Sequence, residues 1–181
     1  MSRAFVKETD DAPDEPLPDR PLSEHPNHVT ASGLEQLRGR VAELESERLE
    51  LARRSAVDES ARDRLRYVER DLRYFRRRLE TARVVAPAGA GRVSFGATVA
   101  VRDDAGQERR YRIVGEDEAE PERGLASWVS PLARVLDGAR VGERVVWRRP
   151  AGALGLTVLA IDAEPPAETP APTRATDEGE T

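Results

Sequence analysis

Cysteine is absent from the 181 residues. That excludes a disulfide framework, a thiolate metal site and a cysteine nucleophile. Histidine is scarce as well. His25 and His28 flank Pro26-Asn27, are too few for a histidine-built metal centre, and are expected to be solvated spacers. Aromatics make up only 4% of the chain, so any core is modest and mainly aliphatic. No apolar run is long enough to cross a membrane. The opening Met1-Ser2-Arg3-Ala4-Phe5-Val6-Lys7 runs straight into acids and prolines, without the apolar centre of a signal peptide, so a cytoplasmic location is expected. There is no GxxxxGK[ST] loop, no dinucleotide-binding glycine turn and no Ser/His/Asp set. The one Gly-rich stretch, Ala88-Gly89-Ala90-Gly91, follows a helix and opens a strand, the wrong order for phosphate binding.

What the chain does have is charge, at 35% of its residues and unevenly placed. The net charge of −5 opposes general coating of DNA. Residues 1–29 hold Pro13, Pro16, Pro18, Pro21 and Pro26 among many acids and read as a disordered arm, with Phe5-Val6 its one apolar spot. A solvated tail is favoured there over a docking peptide. Residues 30–86 read as a helical hairpin. Ser32 and Glu35 have capping-box spacing. Leu34, Leu37, Val41, Leu44 and Leu51 follow a 3-4 rhythm broken by Arg48, and Leu65, Val68, Leu72, Phe75, Leu79 and Ala82 repeat it. The weak helix stretch Arg54–Ser60 lies between them, so the two helices are expected to pack antiparallel. Leu34 to Arg54 spans ~30 Å at the helical rise.

Pro87 and the following glycines mark residues 87–92 as a linker. Residues 93–162 then read as a small sheet domain. Val93–Val101, Arg110–Val114, Glu143–Arg148 and Leu156–Ile161 are the expected strands, taken as antiparallel, with a turn at Asp103–Gly106 and a bend at Pro150–Gly152. Ser127–Gly138 reads as strand, cap and helix: Ser130 is the N-cap, Pro131 the first helical residue, Leu132, Val135 and Leu136 one face, and Gly138 the stop. Residues 163–181, rich in Pro, Thr, Ala and acids, are expected to be a disordered tail.

Four phrases of this domain carry a resemblance: Phe95-Gly96-Ala97-Thr98-Val99, Ile113-Val114-Gly115-Glu116-Asp117-Glu118-Ala119, Ser130-Pro131-Leu132-Ala133-Arg134 and Val141-Gly142-Glu143. In wording, order and spacing they resemble the C-terminal domain of the bacterial transcript-cleavage factors GreA and GreB. Thr30-Ala31-Ser32-Gly33-Leu34-Glu35-Gln36-Leu37 is similar to the start of that family's helical domain, and Arg64–Tyr74 looks like the GreB version of its second helix. The resemblance implies an α+β protein: an N-terminal antiparallel coiled-coil hairpin, then an FKBP-like antiparallel sheet carrying one short helix. It further implies a monomeric, non-enzymatic partner of bacterial RNA polymerase, which docks through its C-terminal domain and inserts the coiled coil into the secondary channel.

In the family an acidic pair at the coiled-coil tip, within Gly-Asp-x-Ser-Glu-Asn, helps hold a second Mg²⁺ and the attacking water at the polymerase's own active site. That motif is absent here. An ungapped register puts the two acidic positions on Leu51 and Arg54, and a gapped one on Ala56 and Glu59. Asp58 and Glu59 are the candidate tip acids. Against that, they are preferred as the start of the second helix, where negative charge suits the dipole. No metal site is expected in the isolated protein and no cofactor beyond a possible Mg²⁺ shared with the polymerase.

Arg62, Arg66, Arg70, Arg73 and Arg77 form a candidate basic patch for the nascent RNA 3′ end, with Tyr67 and Tyr74 nearby. An equally weighted reading pairs the arginines with Glu43, Glu45, Glu47 and Glu50. For polymerase docking the candidates are Asp117, Glu118, Trp128, Ser130, Pro131, Leu132 and Arg134, with Leu132 preferred as core and Ser130 as cap only. Two alternatives stand beside cleavage activation. One is a channel-binding regulator that does not stimulate cleavage and competes with factors that do. The other, more distant, is a peptidyl-prolyl isomerase, which would need an aromatic pocket built from Phe95, Tyr111, Trp128 and Trp147.

Overall fold

The computed structural model describes residues 17–88 and 91–162. In chain order these form β1 (His28–Val29), α1 (Ala31–Arg54), α2 (Glu59–Thr81), β2 (Arg83–Val84), β3 (Thr98–Asp103), β4 (Glu108–Val114), a 3-10 turn at Pro121–Arg123, β5 (Leu125–Ser127), α3 (Pro131–Leu136), β6 (Arg144–Arg149) and β7 (Gly152–Asp162). They divide into two compact units. One is Leu37–Thr81 with the segment up to Glu24; the other is His25–Gln36 with the chain from Ala82 on. The expected tail 163–181, the first part of the expected arm including Phe5-Val6, and Gly89-Ala90 lie outside the described residues.

The first unit is the helical hairpin. Val41, Leu44, Leu51, Ala61, Val68 and Leu72 are buried together, with Leu65, Phe75 and Leu79 packed against them. Each buried valine or leucine contributes about 1.5–3 kcal/mol, and this holds together helices that are marginal alone. Ser55–Asp58 turn the chain, with the Val57 and Asp58 amides both donating to the Arg54 carbonyl at 3.1 Å. α1 is longer than the periodicity suggests, at 24 residues or ~36 Å. Ala82 falls beyond the end of α2 at Thr81, because the chain there straightens into β2.

The second unit is a curled five-stranded sheet in the order β5-β4-β3-β7-β6. The expectation of a wholly antiparallel sheet is corrected by β5, which runs parallel to β4. The Gly115–Gly124 connection, with its 3-10 turn, carries the chain back beside Arg112, so β5 enters there and runs in the direction of β4. Residues 93–97 are also not a strand. Val93 is buried in the core, but the chain turns at Gly96, where φ is +82°. One face of the sheet packs on α3: Leu132, Ala133 and Leu136 meet Val99, Val101, Ile113, Leu156 and Val158.

Nor is the chain loose up to residue 29. Val29 and Asn27 are buried, and β1 pairs in parallel with β2 through His28↔Arg83 and Val29↔Val84.

Candidate functional site

The start of α1 organises much of the second unit. Its N-cap is Thr30, not Ser32: the Thr30 hydroxyl accepts from the Gly33 amide at 3.0 Å, and the Thr30 carbonyl from the Leu34 amide at 3.0 Å. A capping box needs a carboxylate on the N-cap residue's own N–H. Here that carboxylate comes from far along the chain. Glu118 accepts from the Thr30 amide at 2.9 Å, from the Thr30 hydroxyl in a short contact, and from the Gly115 amide at 3.2 Å. Its side chain fits only because two neighbours are glycine. A Cβ on Gly33 would lie 2.0 Å from the Glu118 Cδ, and one on Gly115 would lie 2.6 Å from the His28 carbonyl oxygen.

Glu118 is therefore buried, at 8% exposure, and committed to the helix start. The phrase Gly115-Glu116-Asp117-Glu118 holds structure as well as surface. Sequence reasoning missed the set Thr30, Gly33, Gly115 and Glu118, since no local spacing connects residues 88 positions apart.

The other docking candidates separate by exposure. Leu132 is core, and Ser130 caps α3 by accepting from the Ala133 amide at 3.2 Å. Pro131 and Arg134 are exposed, and Asp117 and Trp128 half-buried. The Trp128 indole is stacked by His28 at 4.9 Å and met edge-on by His25 at 5.8 Å, so the two histidines are not solvated spacers. Among the described residues the Trp128 Nε1 has no hydrogen-bond partner. His25, Phe95, Trp128, Arg134 and Asp137 contribute to the lining of a cavity of about 220 Å³ between α3 and the sheet.

At the hairpin tip, Asp58 caps α2. Its Oδ1 accepts from the Ser60 hydroxyl at 2.6 Å and the Ala61 amide at 3.1 Å, and its Oδ2 from Arg54 at 2.9 Å. The Ser60 bond, then the Ala61 amide, then Arg54 hold its carboxyl down at about 2. Glu59 is exposed as the first residue of α2, and Val57, at the apex, is 92% exposed. Both Asp58 oxygens thus accept protein hydrogen bonds, and Glu59 adds one exposed carboxylate beside them. Among the described residues no cluster of three or more metal-ligating side chains occurs.

The arginines of α2 are largely engaged. Arg64 pairs with Glu47 at 2.8 Å and Arg76 with Glu45 at 2.7 Å. Of the candidate patch, Arg62 donates to the Ser55 carbonyl, Arg70 pairs with Asp71 at 3.1 Å and sits over Tyr67, and Arg77 pairs with Glu80 at 2.6 Å. Arg66 is likewise held. Arg73 meets Asp19 at 2.7 Å, while the Arg20 guanidinium lies 4.0 Å over the Tyr74 ring. Residues 17–20 thus run along α2 rather than trailing free.

The chain matches the family description "Transcription elongation factor, GreA/GreB, C-term" over residues 87–163. It is 34% identical to the transcription elongation factor GreB of Pasteurella multocida over 151 residues, covering 75% of this chain and 94% of that one. It is also 34% identical to the GreA of a Jannaschia species over 148 residues, covering 74% and 95%. A shorter match, 40% over 102 residues, links it to the GreB of Neisseria meningitidis serogroup B and spans 55% of this chain but only 63% of that relative. The chain belongs to the GreA/GreB family.

Proposed function

We propose that the protein binds bacterial RNA polymerase through the second unit, around Asp117, Trp128, Pro131 and Arg134, and occupies the secondary channel with its helical hairpin without strongly stimulating transcript cleavage. The observation that supports this reading is the commitment of Asp58 to capping α2: its oxygens accept from Ser60, Ala61 and Arg54, so sharing a metal competes with the cap. The α2 arginines support a contact with the RNA 3′ end. The exposed ion pairs among them, such as Arg73–Asp19 and Arg77–Glu80, are worth ~0–1 kcal/mol each, so a phosphate can replace them.

The test is a stalled, backtracked elongation complex assayed for RNA cleavage with and without the full chain. Little or no cleavage is expected, together with competition against a cleavage-competent Gre factor. Robust cleavage that Asp58→Ala or Glu59→Ala abolishes, with polymerase binding intact, would overturn the reading. Arg134→Glu is expected to weaken capture of core polymerase, and unchanged capture would move the docking surface elsewhere.

A further inference from the structure

α3 is only six residues long and covers one end of the inner sheet face. At the other end, between the β3–β4 and β6–β7 hairpins, lies a second cavity of about 240 Å³. Val101, Leu154 and Leu156 form its apolar floor, and Tyr111 and Trp147, both half-buried, supply aromatic walls. The charge around it is one-sided. Arg109 and Arg149 line it, and among the described residues neither has a carboxylate within ion-pair distance. Arg109 reaches only the Gln107 side-chain oxygen, at 3.4 Å. Arg149 lies 5.3 Å from the Trp147 ring centre, and its Nε is buried without a hydrogen bond. The one acid in the lining, Asp103, is turned to its own loop: its Oδ1 accepts from the Ala105 and Gln107 amides, each at 2.9 Å.

We propose that this groove binds single-stranded RNA, seating one base against Trp147 and Tyr111 with the flanking phosphates on Arg109 and Arg149. The volume is below the ~300 Å³ floor of pockets that enclose a whole small molecule, and suits one base of a strand whose backbone stays outside. Aromatic walls beside unpaired guanidiniums are the combination that single strands use, stacking for the base and charge for the backbone. An acidic peptide would use the arginines and leave the ring faces idle. Gln107, at the rim, offers an amide to a ribose 2′-hydroxyl, which favours RNA over DNA. The site lies on the sheet unit, distinct from the α2 arginines, and does not depend on polymerase docking.

The experiment titrates the full chain with fluorescein-labelled octauridine, reading anisotropy at several salt concentrations and, with unlabelled RNA, the intrinsic tryptophan emission. RNA is expected to quench emission, and Trp147→Phe, which keeps a ring, should remove the quench while largely keeping the affinity. The double variant Arg109→Gln/Arg149→Gln should flatten the salt dependence by about 1.4 log units per log unit, two phosphate contacts on a single strand. Trp147→Leu should weaken binding about 5- to 150-fold through lost stacking. Arg73→Gln/Arg77→Gln should leave the quench intact, since those arginines belong to the helix and not to this groove. Polymerase capture by Arg109→Gln/Arg149→Gln should equal that of the parent, which separates this site from the docking proposal. No quench in the parent, a quench that survives Trp147→Phe, or a salt slope unchanged in Arg109→Gln/Arg149→Gln would overturn the proposal. Equal binding of octathymidine DNA, or displacement of RNA by an octaglutamate peptide at the same concentration as by unlabelled RNA, would overturn its assignment to RNA.

Discussion

Replacing Glu118 with alanine should be among the most damaging single changes in the sheet unit. The carboxylate accepts from the amides of Thr30 and Gly115 and from the Thr30 hydroxyl, and the side chain is 8% exposed. Truncation leaves two backbone N–H groups at a site shielded from water. Each costs about 1–3 kcal/mol when stranded, and loss of a negative charge at a helix start adds ~0.3–1 kcal/mol. A total near 4 kcal/mol follows, a large share of the ~5–15 kcal/mol that holds a domain folded. Glu118→Gln keeps the shape and one acceptor, and should cost less than half as much. Gly33→Ala separates this reasoning from helix propensity. Propensity alone predicts a gain of ~1 kcal/mol for replacing a helical glycine. The Glu118 Cδ, 2.0 Å from the added Cβ, predicts a loss instead, as the carboxylate is pushed off the helix start. Urea unfolding followed by tryptophan emission is the suitable assay, because both tryptophans belong to the sheet unit. If Glu118→Ala falls within about 0.5 kcal/mol of the parent, as an exposed substitution would, or if Gly33→Ala stabilises, the carboxylate is not the cap of α1.

The hairpin offers three further tests. Asp58 has its carboxyl lowered from 3.8 to about 2 in the folded chain, so its capping contribution is complete above pH ~4 and is lost as the pH falls through about 2; the difference in thermal midpoint between Asp58→Ala and the parent should shrink over that window, and a constant difference would refute the capping role. Arg20→Ala removes the cation over Tyr74 and should lower hairpin stability, read by circular dichroism in urea, by ~0.5–1 kcal/mol; no change would mean that residues 17–20 do not hold to α2. Val57→Ser at the 92%-exposed apex should change stability by no more than ~0.5 kcal/mol.

Much of this architecture is written in local patterns. The 3-4 spacing of Val41, Leu44, Leu51, Val68 and Leu72 specifies helices that must bury one stripe, and the intervening Ser55–Asp58 is a weak helix stretch that can turn, so a hairpin is the expected arrangement. Ser130-Pro131 specifies the start of α3 for reasons contained within a few residues. Asp58 was legible as a helix start for the same reason. What local pattern could not decide are pairings between distant segments. The parallel entry of β5 depends on the path of a whole connection, and the β1–β2 pairing joins residues on either side of the hairpin. The capping carboxylate of α1 could be read in the sequence only as Glu35, three residues past Ser32, because a capping box is ordinarily local. Tertiary structure supplied Glu118 instead, since Gly33 and Gly115 leave the space for its carboxylate to reach the Thr30 amide.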